Sequence, residues 1–331
     1  MKITRPSYFD SFHCIASNCP DSCCKEWDVQ VDEKSAAYYR SLSGPLGDDL
    51  RRLLKDEDGE TVMTILEGRC PMWRSDGLCR IQAELGEQAL CKTCREFPRL
   101  THDYGDFIER GLELSCPEAA RIILSAPIGD PVVEEIPGGE AEYDVDAMEV
   151  LLRTRHNVLD ILADTSRPVN EALALALLYG YQAQGELDGD EETPFDPDNA
   201  LESVREFVKV PEISELPDFF AELEILTDGW AQRLKGLRPG PWQEPYRALA
   251  RYFVERYWLQ AVSDYDLYCR VKYCIASCIL IRQLGGDLLT TAQVYSKEIE
   301  NNTDNVEALL DAAYSHPAFT DDKLLGLLLQ N

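Results

Sequence analysis

The sequence predicts a mainly α protein in which an irregular, cysteine-rich N-terminal metal-binding region packs on an α-helical C-terminal domain. Three observations lead there. The 12 cysteines fall in two groups, at 14, 19, 23, 24, 70, 79, 91, 94 and 116 and then at 269, 274 and 278, with none between. Beyond position 145, apolar residues recur at helix-face spacing. No stretch shows sustained alternation, a βαβ rhythm or a fixed-period repeat, which disfavours a Rossmann domain or a TIM barrel.

The cysteine-rich region is taken as 1–125. Its first group runs Cys14-x4-Cys19-x3-Cys23-Cys24 and ends at Trp27. A second set follows as Cys70-Pro71-Met72-Trp73, then Gly77-Leu78-Cys79-Arg80-Ile81, then Leu90-Cys91-Lys92-Thr93-Cys94 and Phe97-Pro98-Arg99, with Cys116 alone before Pro117. Two thiols two residues apart can grip one ion across a tight turn, and a distant pair closes the site. Core packing does not crowd cysteines in this way, so Cys14, Cys19, Cys23, Cys24, Cys70, Cys79, Cys91, Cys94 and Cys116 are all candidate metal ligands. Zinc and iron–sulfur clusters both accept four thiolates, and ligand type alone does not choose between them. His13 and His102 lie near the cysteines in sequence, but a lone histidine is more often a surface or supporting residue. Cys274 and Cys278 stand four apart on an apolar helical stretch, with Cys269 five positions earlier, and read as small buried thiols.

Residues 126–145, acidic and bearing proline and glycine, read as a linker. The helical domain, 146–331, begins with Asp146 to Asp164, where Val150, Leu151, Val158, Leu159 and Leu162 fall on one helix face. Glu171 to Gln184 is dense in Ala and Leu without proline. Gly185 to Pro197 is polar and turn-rich, hence a solvated loop. Pro245 to Leu284 is the longest helical candidate, broken near Asp264. Val306, Leu309, Leu310 and Ala313 mark another helix, and Asp321 to Leu329 a last one.

Composition narrows the function. With 32 Lys plus Arg against 60 Asp plus Glu, the net charge is −28. Such a surface repels nucleic acid and anionic membranes, so neither is an expected partner. The longest late apolar stretch, Cys274 to Ile281, is far short of the ~20 residues a bilayer needs. The first residues carry no apolar run of a secretory leader, which points to the cytoplasm. There, cysteines are expected as thiols or metal ligands, not disulfides.

The ordered block Cys19-x3-Cys23-Cys24-x2-Trp27, Cys70-Pro71-Met72-Trp73, Gly77-Leu78-Cys79-Arg80-Ile81 and Leu90-Cys91-x2-Cys94-Arg95-Glu96-Phe97-Pro98-Arg99 resembles the flagellin lysine-N-methylase family, FliB. It is also similar to the broader group of cysteine-rich zinc- or iron-chelating domains. The resemblance covers about the first 120 residues. It implies methyl transfer from S-adenosylmethionine to lysine amines of flagellin, the protein of the bacterial flagellum, with a [4Fe–4S] cluster held by some of these cysteines. The spacing Cys19-x3-Cys23-Cys24 differs from the Cys-x3-Cys-x2-Cys of radical S-adenosylmethionine enzymes.

Lysine sets its own chemical demand. With a pKa near ~10.4, only about one side chain in a thousand is neutral at pH 7.4, and the ammonium has no lone pair to attack with. A site must therefore desolvate the amine or supply a base. Asp103, Tyr104, Asp106 and Glu109 are weak candidates for that base, a solvated turn being the plainer account of them. No Gly-rich nucleotide fingerprint locates a cofactor pocket. Alternative functions are a zinc-binding structural or adaptor protein with a helical partner-binding domain, and a metal-storage or redox protein.

Overall fold

A computed structural model of the chain describes residues 1–25, 29–57, 59–206, 208, 213 and 215–329. Trp27 of the first cysteine motif lies outside the described residues.

The fold is mainly α, and its long helices form where the apolar period lies. Val145–Ala163 starts at Asp144, whose carboxylate accepts the Ala147 N–H and so satisfies an otherwise orphaned donor. Val169–Leu187 follows, and the polar stretch after it, 189–196, carries no regular element. Pro245–Tyr257 has proline at its first position, where a missing N–H costs nothing. A 3-10 turn, Trp258–Ser263, ends that helix, and Asp266 caps the next, Leu267–Leu284, by accepting from Cys269 N–H. The break expected at Asp264 is thus a change of direction followed by a new cap. Leu267–Leu284 is buried along almost its whole length and is the axis of the helical domain. At its contact with Val169–Leu187, Gly180 leaves no room for a side chain: a Cβ there would lie 2.6 Å from Val271 Cγ1. Thr303–Ser315 and Asp321–Leu329 close the domain.

Seven short strands are present among the described residues: β1 (Lys2–Arg5), β2 (Val29–Gln30), β3 (Leu54–Glu57), β4 (Glu60–Met63), β5 (Arg99–Asp103), β6 (Phe107–Leu112) and β7 (Val132–Glu135). They form two sheets, ordered β5-β6-β1-β7 and β2-β4-β3. β1 pairs parallel to β6, Lys2 opposite Phe107, and antiparallel to β7, Lys2 opposite Glu135. The stretch expected as a linker therefore contains a strand. These segments are two to six residues long and mostly half-exposed, too brief for an alternating pattern, and their stability comes from partners distant in sequence.

The core divides in two. A small one gathers residues 29–91, including Tyr39, Leu50, Met72, Ile81, Cys70 and Cys91. A large one unites Tyr8, Phe9, Phe12, Leu112, Leu114 and Ile123 with the C-terminal helices. Sheet β5-β6-β1-β7 thus sits with the helical domain, and the small module is inserted between β1 and β5. Among the described residues, no helix is long and apolar enough to cross a membrane.

Candidate functional site

Six of the nine N-terminal cysteines, Cys23, Cys24, Cys70, Cys79, Cys91 and Cys94, line one cavity of about 30 Å³ in the small module. Local chain geometry brings them there. The Cys70 N–H donates to the Cys24 carbonyl at 2.7 Å, tying the two motifs together. The Arg80 N–H donates to the Met72 carbonyl, and Trp73 bridges Cys79, which folds the third motif back on the second. Gly77, at φ +81, lets this turn close against Ser17, 3.5 Å from the position a Cβ would take. Cys79 and Cys91 each stand at the N-cap of a short helix, Arg80–Leu85 and Lys92–Glu96. Asp32 accepts from both Ser35 N–H and Lys92 N–H, which joins the Cys91 turn to the helix Glu33–Ser41. Tyr39 packs on the cavity and donates its hydroxyl to the Ala89 carbonyl at 2.7 Å.

The remaining walls are Val29, Tyr39, Met63, Met72, Ile81 and Leu90, with no carboxylate or imidazole among them. Burial pushes the Cys70 thiol up to about 11 and raises that of Cys79. A hydrogen bond from Cys94 lowers the Cys91 thiol, while Cys94 is raised because ionising it would break that bond and because it is buried. All the cysteines are free thiols. Among the described residues, no group of three or more Cys, His, Asp or Glu stands in a closed metal-binding arrangement. The donor set nonetheless suits a soft metal: several sulfurs converge in an apolar, partly buried site without carboxylate or imidazole competitors.

The other candidates lie elsewhere. Cys14 is exposed, its Sγ accepting from the Ala16 N–H. Cys116 caps the helix Pro117–Ser125 and packs on the large core. Burial pushes its thiol up to about 11, with Cys19 and Cys23 close enough to add to the shift. Cys19 is half-buried. Cys269, Cys274 and Cys278 are buried on Leu267–Leu284, away from the cavity. His13 is exposed, and His102 lies on β5 in a different cavity. The proposed bases are engaged: Asp103 accepts from Gly105 N–H, Tyr104 stacks on Phe107, Asp106 accepts from the Tyr143 hydroxyl, and Glu109 pairs with Arg155.

A cleft of about 460 Å³ adjoins the cysteines, between the small module and the helical domain, and sequence reasoning missed it. Asp21 and Glu298, with Lys25, Arg233 and Lys297, line it together with Trp230 and Val294. Asp21 lies inside the Cys19–Cys24 motif, but nothing local marks Lys297 as its partner. The Glu298 carboxylate accepts from Leu226 N–H at 2.9 Å and from the Thr227 hydroxyl. A smaller recess, lined by Cys23, Lys25, Phe97, Lys297 and Glu298, shares residues with this cleft, and Cys23 also faces the cysteine cavity. Cleft and recess thus share Lys25, Thr227, Lys297 and Glu298 as walls, and Cys23 stands between recess and cavity.

Over 132 residues, 38% of its length, the chain is 35% identical to Flagellar biosynthetic protein FliU of Salmonella muenchen, and the match spans 78% of that protein. The chain belongs to the lysine-N-methylase (FliB) family. Other members of the family, the Lysine-N-methylases of Salmonella typhimurium and Salmonella choleraesuis, are also 35% identical over 132 residues. There the match spans only 33% of each protein, so the chain corresponds to about a third of their length. No family model and no solved structure matches the chain.

Proposed function

We propose that this chain is a protein-lysine N-methyltransferase acting on flagellin, with S-adenosylmethionine as donor and a [4Fe–4S] cluster held by cysteines. The observation that carries the reading is the convergence of Cys23, Cys24, Cys70, Cys79, Cys91 and Cys94 on one apolar cavity beside an open cleft. Membership of the family supports lysine as acceptor, and the name of FliU supports a flagellar setting.

Those six thiols are the side chains that would hold the cluster. Bound there, it would supply Lewis-acidic iron to orient the donor. The chain supplies the rest. Cys23, facing both cavity and recess, sets the donor's side of the site next to the cleft. Asp21, paired with Lys25 and Lys297, holds the cysteine loop at the cleft, and the walls of Trp230, Leu289 and Val294 remove water from a lysine side chain that enters it. Desolvation lowers the amine's pKa and so raises the neutral fraction. The neutral nitrogen then forms the new N–CH3 bond as the donor's S–CH3 bond breaks, leaving S-adenosylhomocysteine, and the proton passes to solvent through the cleft.

Anaerobically purified protein is expected to contain iron and sulfide, and to add methyl masses to lysines of unmodified flagellin when S-adenosylmethionine is present. Zinc without iron or sulfide, together with an unchanged flagellin mass, overturns the proposal.

A further inference from the structure

Cys14, Cys19 and Cys116 line neither the cysteine cavity nor the cleft and its recess. They are gathered nonetheless. Cys14, Cys19 and Cys23 share one short loop, folded on itself by the 3-10 turn Ala16–Asn18, where the Cys19 N–H donates to the Ala16 carbonyl at 3.0 Å. Cys116 meets that loop through Gln293, whose Nε2 donates both to the Asp21 carboxylate, between Cys19 and Cys23, and to the Ser115 carbonyl, each at 2.9 Å. Pro20 and Pro117, the residues that follow Cys19 and Cys116, share the wall of the cleft, and Cys23 and Ser115 share the recess. The thiols are close enough to feel one another: beyond burial, Cys14 and Cys23 help to raise Cys19, and Cys19 and Cys23 help to raise Cys116.

Backbone donors point at the same sulfurs. Ala16, in the left-handed conformation at φ +49, places its N–H 3.4 Å from the Cys14 sulfur. The Asp21 N–H faces Cys19, and those of Ala119 and Glu118, at the start of the helix Pro117–Ser125, face Cys116. Two cysteines of the cavity are served in the same way, Cys70 by the Met72 N–H and Cys79 by that of Ile81. An N–H aimed at a sulfur favours the thiolate, which is the form that binds metal. The Lys297 charge acts in the same direction on Cys23.

We propose that Cys14, Cys19, Cys23 and Cys116 bind a single Zn2+ ion as a second metal centre, which staples the first cysteine loop to the large core that Cys116 packs on. Four thiolates around zinc make a closed, structural site. A lone ion needs no chamber, only sulfurs that can approach it, whereas a cluster needs a cavity such as the one the other cysteines form. Among the described residues no closed group of ligands stands, so binding draws the exposed Cys14 inward over the other three. Cys24, Cys70, Cys79, Cys91 and Cys94 remain for the cavity, enough for a four-thiolate cluster. The second centre does not depend on which metal the cavity holds.

The test is elemental analysis of the full chain loaded with zinc under reducing, anaerobic conditions, with circular dichroism to confirm that each variant is folded. Cys14→Ser, at an exposed position, and Cys19→Ser and Cys116→Ser are each expected to lose about one equivalent of zinc and to keep the metal of the cavity. Cys91→Ser is expected to do the reverse, and Cys19→Ser combined with Cys91→Ser to hold neither. The proposal is overturned if the folded Cys14, Cys19 and Cys116 variants hold as much zinc as the parent, or if they lose the metal of the cavity as well, which would make all nine cysteines serve one centre. Absence of iron and sulfide alone strikes the cluster reading of the cavity and leaves the zinc staple standing.

Discussion

Asp21 and Lys297, 276 positions apart, meet at 2.6 Å, and the contact anchors the first cysteine loop to the helical domain. Gln293 donates to the same carboxylate oxygen at 2.9 Å, and Lys25 reaches its other oxygen at 2.8 Å. A single carboxylate, two residues from Cys19 and two from Cys23, thereby ties that loop to the helical segment that lines the cleft.

Asp21→Asn is expected to cost up to about 2 kcal/mol in urea unfolding. Burial alone would push this carboxyl up, but the hydrogen bonds and charges of Lys25 and Lys297 outweigh it and bring the group down to about 2 from 3.8. A depressed carboxylate contributes fully above its unfolded value. The contribution is therefore steady above about pH 4 and is lost as pH falls toward 2. Stability measured across that acid range should show this decline in the parent and a flatter profile in the variant.

Cys91→Ser and Cys94→Ser are each expected to lower the metal held in the cavity well below one equivalent, because a hydroxyl is a poor ligand for soft metals. Cys274→Ala, buried in the other core, should leave metal content unchanged while costing on the order of 1 kcal/mol of packing. Elemental analysis of the three variants separates the two cysteine groups.

Glu109→Gln is expected to destabilise the chain by about 3 kcal/mol, since it strips a mostly buried guanidinium of its partner. The two side chains are only 13% and 14% exposed. Removing both charges together, with Arg155→Met added, should recover part of the loss, and chemical denaturation of the single and double variants measures the difference.

Gly180→Ala should cost about 1–3 kcal/mol, the usual penalty for overfilling a packed contact. The obstacle is the Val271 side chain, so Val271→Ala in the same chain should relieve the clash. A melting temperature for the double variant below that expected from adding the two single effects would contradict this account.

The helical part of the fold was legible because its information is local. Asp146 to Asp164 carries the apolar period of Val145–Ala163, and the break near Asp264 was expected, though not the Asp266 cap that follows it. The strands were not legible: β1 is four residues whose partners sit at 107–109 and 132–135, and no local pattern encodes that pairing. The cysteine motifs were visible as motifs, but which sulfurs converge depends on turns such as Cys70 N–H to Cys24 carbonyl. That is why Cys14, Cys19 and Cys116 could not be told apart from the six in the cavity.

The parallel pairing of Lys2 with Phe107 leaves the whole small module as a closed excursion from one sheet. Its two ends are held by β1 and β5, which flank β6 in a common scaffold, so ordering of the excursion repays part of the loop-closure entropy of that register. Any ion gripped by the thiols would accordingly tighten amide protection in β1 and β6, well away from the sulfurs themselves.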